Sequence, residues 1–126
     1  MTLKLIRLEL ARTKEFPDGS ARHGYEFTAP LDAAGHLDQA EWKKYRQACT
    51  VRRFWPGEDE GHGTLIHRKD GKWAFSYELG DADDEPIFKF DRHQFVVGEY
   101  VSVTEHDGKT YPFKVAAIRP PPGLQK

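Results

Sequence analysis

Residues 63–79, GTLIHRKDGKWAFSYEL, decide the fold class of this chain. Every second residue from Trp73 to Leu79 is apolar, which is the period-two pattern of a β-strand with one buried face. The Asp-Gly pair at residues 70–71 separates this run from residues 63–69, and these two residue types tolerate the positive φ angles of a two-residue hairpin turn. The stretch therefore predicts two antiparallel strands joined by a tight turn.

The same signals recur on both sides of this hairpin. Alternating patterns predict strands at residues 3–11, 24–30, 50–55, 98–105 and 110–118, the last two flanking a second Asp-Gly pair at 107–108, and a short or irregular strand that includes Phe88, Phe90, Phe95 and Val97. Leu3 and Leu5 are out of phase with the rest of the first strand, so either a bulge near residue 5 or burial on both faces is implied. Pro112 has no amide hydrogen, which predicts a local sheet edge.

Residues 37–48 carry the pattern of a helix. Asp38 is placed to cap its first turn, Glu41 is at the third helical position, and Trp42 begins an apolar stripe. Many short strands with one helix favour a mainly β fold, namely a small antiparallel β-barrel or sandwich with one covering helix. We expect one domain over residues 1–119 and a flexible, proline-rich tail at 120–126.

The composition indicates which kinds of partner and which cellular compartment to expect. The 126 residues carry a formal net charge of −1, so the global charge does not favour nucleic acid or an anionic membrane. One cysteine, Cys49, excludes an internal disulfide, and no apolar run reaches the roughly 18 residues of a membrane span. These features predict a cytoplasmic protein that binds no membrane.

Metal and catalytic signatures are weak in this sequence. The histidines do not form a ligand spacing, and with one cysteine there is no zinc-finger pattern. The acidic stretch at 81–85 lacks the glycine and glutamate of a calcium loop, and no nucleophile motif is present. We therefore predict no metal, no cofactor and no catalytic residue, and keep a metal-dependent hydrolase using His67 or Glu58 as a third alternative.

A cluster of basic residues lies next to aromatic ones. It consists of Lys43, Lys44, Arg46, Arg52 and Arg53, followed by Phe54 and Trp55. Cations that meet phosphates and rings that stack on bases are typical of single-stranded nucleic-acid binding, which is the alternative function. An ordinary solvated helix face with core aromatics explains the same residues.

The leading hypothesis is a non-enzymatic binding or interaction module for a protein or a small ligand. Mouths of small barrels often bind ligands, and residues 23, 52 and 53 and the segment after Trp55 are expected to face one another there. The predicted ligand-binding residues are His23, Arg52, Arg53, Trp55 and His67. Rim ion pairs explain these residues equally well. The partner is left as an unknown protein or small ligand, and the oligomeric state as a monomer or an edge-paired homodimer.

Three segments resemble a family of small uncharacterised proteins from alphaproteobacteria. They are ARHGYEFTAPLDAAGHLD at 21–38, VRRFWPGEDEGHGTL at 51–65 and FVVGEYVSV at 95–103. The resemblance implies a bacterial, cytoplasmic, stand-alone domain. It implies no activity, ligand or functional residue.

Overall fold

The fold is a closed antiparallel β-barrel, seen in a computed structural model that describes residues 3–57, 60–67, 73–76, 85–88, 95–104 and 109–120. Its strands are β1 (Leu3–Leu10), β2 (Ser20–Pro30), β3 (Thr50–Phe54), β4 (Gly61–His67), β5 (Trp73–Ser76), β6 (Glu85–Phe88), β7 (Tyr100–Thr104) and β8 (Thr110–Arg119). Each strand pairs with the next along the chain, and β8 returns to pair with β1. The prediction of a small antiparallel barrel with one helix is confirmed.

The barrel interior is filled by side chains from the alternating apolar positions. The largest fully buried ones are Ile6, Leu8, Tyr25, Phe27, Leu65, Phe75, Val103, Phe113 and Val115. Phe75 is central to this core, because its ring centroid lies 4.9 Å from that of Tyr25 and 5.0 Å from that of Phe27. An eight-stranded barrel is just wide enough for its side chains to fill it, so candidate binding surfaces lie at its ends or on its wall.

The strand predictions differ from the structure in a few places. The pairing of β1 with β2 runs without a shift through residue 5, and Leu3 and Ile6 are both buried, so β1 is buried on both faces near its start. The predicted irregular strand is confirmed at Phe88, which belongs to β6, and wrong at Phe95 and Val97, which lie outside any strand, whereas Phe90 lies outside the described residues. Both Asp-Gly pairs and residues 121–126 of the predicted tail lie outside the described residues.

Pro112 lies in a strand that has a partner on each side. It faces Ser102 of β7, and its carbonyl oxygen accepts a hydrogen bond of 3.0 Å from the amide of Ala11, one residue beyond the end of β1. The amide hydrogen that Pro112 lacks would therefore lie beyond Leu10, the last residue of β1, where the pairing of β1 with β8 has ended.

The helix is shorter than its pattern predicts. Helix α1 spans Gln39–Lys44, and a separate 3₁₀ turn follows at Arg46–Ala48. The backbone leaves helical geometry at Tyr45, where φ is −119° and ψ is 27°. The predicted cap is confirmed, since the carboxylate of Asp38 accepts the amide hydrogen of Glu41 at 3.1 Å. No helix in the described part of the chain is long and apolar enough to cross a membrane.

Candidate functional site

The predicted ligand-binding residues occupy three different places on the barrel. His23, Arg53 and Trp55 lie together at the end that carries the 11–19 connection, which we call the loop end. Arg52 lies on the outer wall, and His67 lies at the opposite end, beside α1, which we call the helix end. The structure therefore brings together three of the five residues.

At the loop end, aromatic rings pack on one another. The ring of His23 lies between Phe16, at a centroid distance of 4.6 Å, and Trp55, at 4.5 Å. Tyr111 extends the series, 6.1 Å from Trp55. Phe16 and Tyr111 were not predicted, because Phe16 comes from the irregular 11–19 connection and Tyr111 comes from β8, far along the chain from Trp55.

Arg53 lies beside Trp55 with only 7% of its surface exposed. Its guanidinium carbon is 4.4 Å from the centre of the Trp55 ring, within the range of a cation–π contact. The guanidinium of Arg53 thus packs against Trp55, which in turn contacts His23 and Tyr111.

Arg52 belongs to a charged row on the outer wall. Arg7, Glu26, Arg52 and His62 face one another across four adjacent strands. Glu26 accepts hydrogen bonds from Arg52 at 2.6 Å and Arg7 at 3.0 Å, and Glu60 accepts a second one from Arg52 at 2.6 Å. Burial alone raises the pKa of Glu26, but the hydrogen bonds from the two arginines outweigh it, so this pKa is lowered.

The residues of the nucleic-acid alternative do not form one basic patch. Lys44 pairs with Glu41 at 3.2 Å, Arg52 is held between two carboxylates, and Arg53 is buried. Lys43, Lys44 and Arg46 are exposed in and just after α1, and Lys44 is paired with Glu41. Three exposed cations, one of them already paired, offer less charge to a phosphate backbone than the five that the sequence suggested.

At the helix end, Trp42 anchors α1 to the barrel. Its indole Nε1–H donates to the carbonyl oxygen of Leu65 at 2.9 Å, and its ring meets Trp73 edge-on at 5.3 Å. The imidazole of His67 lies 4.7 Å from the ring of Trp73, and the side-chain amide nitrogen of Gln39 is 3.1 Å from its Nδ1. His67 is therefore half-buried and oriented by its neighbours.

An open depression of about 400 Å³ lies next to this cluster. Its lining residues are Trp42, Arg46, Gln47, Thr64, Leu65, Ile66 and His67. Small-molecule sites typically measure about 300–1,000 Å³ and combine apolar walls with a few polar groups. The depression has this composition.

Two kinds of surface meet in the depression. Trp42, Leu65 and Ile66 supply apolar surface, whereas Arg46 and His67 supply hydrogen-bond donors. The guanidinium carbon of Arg46 lies 5.5 Å from the centre of the Trp42 ring, which holds a cation beside the apolar wall. Such a site suits a molecule with an apolar body and an anionic group.

No protein-family model, curated protein or solved structure matches the chain. Within the described residues, histidine, cysteine, aspartate and glutamate do not gather in groups of three or more that could hold a metal ion. Glu58, named for the hydrolase alternative, lies outside the described residues.

Sequence reasoning missed Trp42 and Gln39 as parts of a candidate site. Trp42 was assigned to the helix core, which is correct for its buried ring. Gln39 gave no signal, because its contact with His67 joins positions 28 residues apart.

Proposed function

We propose that this protein is a binding module for a small organic carboxylate, held in the depression at the helix end. The observation that carries the proposal is the meeting of an apolar wall and a cation in one open depression of about 400 Å³. The proposal places the protein in a bacterial cytoplasm and assigns no chemistry to this site.

Arg46 supplies the positive charge that pairs with the carboxylate of the ligand. Its side chain is exposed, so its guanidinium retains donors that can form a bidentate pair with a carboxylate. Contact with the Trp42 ring restricts the arginine before the ligand arrives, which lowers the entropy lost on binding.

His67 supplies a polar group at the edge of the depression. The side-chain amide nitrogen of Gln39 lies 3.1 Å from Nδ1 of the imidazole, which fixes the orientation of the ring. Leu65 and Ile66, beside it, contact the apolar body of the ligand.

The test is a titration with phenylacetate and octanoate, followed by NMR of the ¹⁵N-labelled protein. We expect the indole Nε1–H signal of Trp42 to shift, because this indole lines the depression. Arg46→Gln should weaken binding by about tenfold or more, which corresponds to the loss of a charge-assisted hydrogen bond.

Arg119→Gln is the matched control, since Arg119 is also exposed but does not line the depression. It should leave the dissociation constant unchanged, and 2-phenylacetamide, which has no charge, should bind more weakly than phenylacetate. Equal binding by the two arginine variants, or no shift of the Trp42 signal at millimolar carboxylate, would contradict the proposal.

An oligothymidylate probe separates this proposal from the nucleic-acid alternative. Phosphate contacts weaken steeply as salt rises, so tight binding that is lost between 50 and 200 mM salt, on the scale of about 10³-fold or more, would favour nucleic acid. We expect no such binding, because Arg52 and Arg53 are engaged within the protein.

A further inference from the structure

Strand β2 departs from regular pairing next to the loop end. Gly24 faces Glu9, but the next pair joins Ser20 to Leu10, so residues 21–23 form an excursion with no counterpart in β1. Such irregularities re-aim side chains and are over-represented beside active sites. An irregularity of this kind also needs local contacts that stabilise it.

The surrounding backbone is built to hold this excursion. A side chain at Gly24 would overlap the carbonyl oxygen of Leu8, and Gly19 has a positive φ of 74°. The guanidinium of Arg7 donates to the carbonyl oxygen of Ala21 at 2.9 Å. These contacts fix both ends of the excursion.

The consequence is a close pair between Ser20 and His23. The Oγ of Ser20 lies 2.6 Å from Nδ1 of His23, although residues three apart in a regular strand point to opposite faces. The backbone amide of Arg22 donates to the same Oγ at 3.2 Å. A serine oxygen with a base at hydrogen-bonding distance and a donor on its other side is arranged as an activated nucleophile.

His23 is held in place by the rings described above. Phe16 and Trp55 contact it at 4.6 and 4.5 Å, so packing fixes the plane of the imidazole. In hydrolytic triads a third residue orients the base, and here the two rings take that part.

Ser20 also lines a cavity. This cavity measures about 590 Å³, and the backbone around Gly19 and the side chains of Arg12 and Lys114 contribute to its wall. Two carboxylates, Glu9 and Asp18, line the same cavity, so its wall carries charges of both signs around Ser20. The cavity is separate from the depression at the helix end.

We propose that Ser20 and His23 form a nucleophile–base pair that hydrolyses small esters. Nδ1 of His23 takes the hydroxyl proton while Oγ bonds to the acyl carbon, and the bond from that carbon to the alcohol oxygen breaks. The imidazolium returns the proton to the departing alcohol. Water then attacks the acyl-serine by the same route and releases the carboxylic acid, so water is the sole co-reactant.

A fluorophosphonate probe tests the proposal directly, because it forms a covalent bond to an activated serine with loss of fluoride. We expect one adduct in the intact mass of the full chain, mapped to Ser20 by peptide analysis. Ser20→Ala should give no adduct. His23→Phe keeps a ring between Phe16 and Trp55 but removes the base, and should slow labelling by about 100-fold or more.

Ser102→Ala is the matched control and should be labelled at the wild-type rate. Thermal melts establish that each variant is folded, and His23→Gln replaces His23→Phe if the latter does not fold. An unlabelled wild-type protein, an adduct on another residue, or unchanged labelling of the histidine variant would each overturn the proposal. None of these results bears on carboxylate binding at the helix end, which is measured separately.

Discussion

Glu26→Gln is the sharpest test of the charged row on the outer wall. The substitution removes one negative charge and keeps the size of the side chain. Glu26 lies between Arg7 and Arg52, and only 22% of its side chain is exposed, so solvent compensates little for the lost charge. Arg7 keeps Glu9, and Arg52 keeps Glu60, so neither arginine loses all its partners.

The magnitude follows from the two hydrogen bonds that Glu26 accepts. A hydrogen bond to a charged group contributes about 1.5–3 kcal/mol when buried, and partial exposure reduces this value. We therefore expect the free energy of unfolding at pH 7 to fall by about 1–2 kcal/mol for the pair together. For a domain of this size the melting temperature should fall by roughly 4–8 °C.

The pH dependence supplies an independent check. The pKa of Glu26 is lowered in the folded state from its ordinary value of 4.5. Its stabilisation is therefore fully present above that ordinary value and is lost as the pH falls through the lower, folded-state pKa. Urea unfolding of both proteins from pH 7 to pH 2 should show their difference shrinking toward zero at the acid end.

Glu15→Gln is the control, because Glu15 is exposed and the substitution changes the charge by the same amount. It should change the free energy of unfolding by less than about 0.5 kcal/mol. The reasoning is refuted if the two variants are equally stable at pH 7, or if the deficit of Glu26→Gln keeps its full size at pH 2.

Three further outcomes are expected. Gly24→Ala should lower the free energy of unfolding by about 2 kcal/mol or more, because the added carbon would overlap the carbonyl oxygen of Leu8. Gly57 has open space around it, so Gly57→Ala should lower this free energy by about 1 kcal/mol, for its positive φ alone. Urea unfolding measures both values. Burial raises the pKa of the Cys49 thiol to about 11, so a disulfide reagent at pH 8 should react slowly with the native protein and rapidly in urea, and rapid native reaction would contradict this. Phe75→Ala should cost about 3–5 kcal/mol by leaving a cavity in the barrel core, measured by urea unfolding, and a loss below 1 kcal/mol would show that the core is loosely packed.

Period-two patterns predicted most strands because each strand presents one face to the core. The alternation at 51–55 also separates Arg53, on the inner side with Val51, from Arg52 on the outer side, and the structure has this arrangement. The predicted set of five ligand-binding residues nevertheless included both Arg52 and Arg53, which lie on opposite faces of β3. Proximity along the chain was a poor guide here, because neighbouring residues of a strand lie on opposite faces.

The other differences arise from long-range structure. The pairing of β1 with β8 joins residues more than a hundred positions apart, such as Leu5 and Arg119, and no local pattern specifies it. The excursion at 21–23 depends on the register of β2 against β1, so the approach of Ser20 to His23 was invisible in the sequence. Helix α1 stops at Lys44 because the backbone of Tyr45 leaves helical geometry, and the chain continues as a 3₁₀ turn at Arg46–Ala48, a change that the side-chain pattern continuing to residue 48 does not indicate.

The strand order has a consequence for rearranging the chain. Every strand pairs with its sequence neighbours, and β8 pairs with β1, so the strand order is cyclic. The same pairings could therefore form if the chain began at a different strand. Leu5 faces Arg119, so the beginning of β1 and the end of β8 lie side by side. A short linker between them, with new termini opened in the connection between β4 and β5, would give a circular permutant with all eight strand pairings retained.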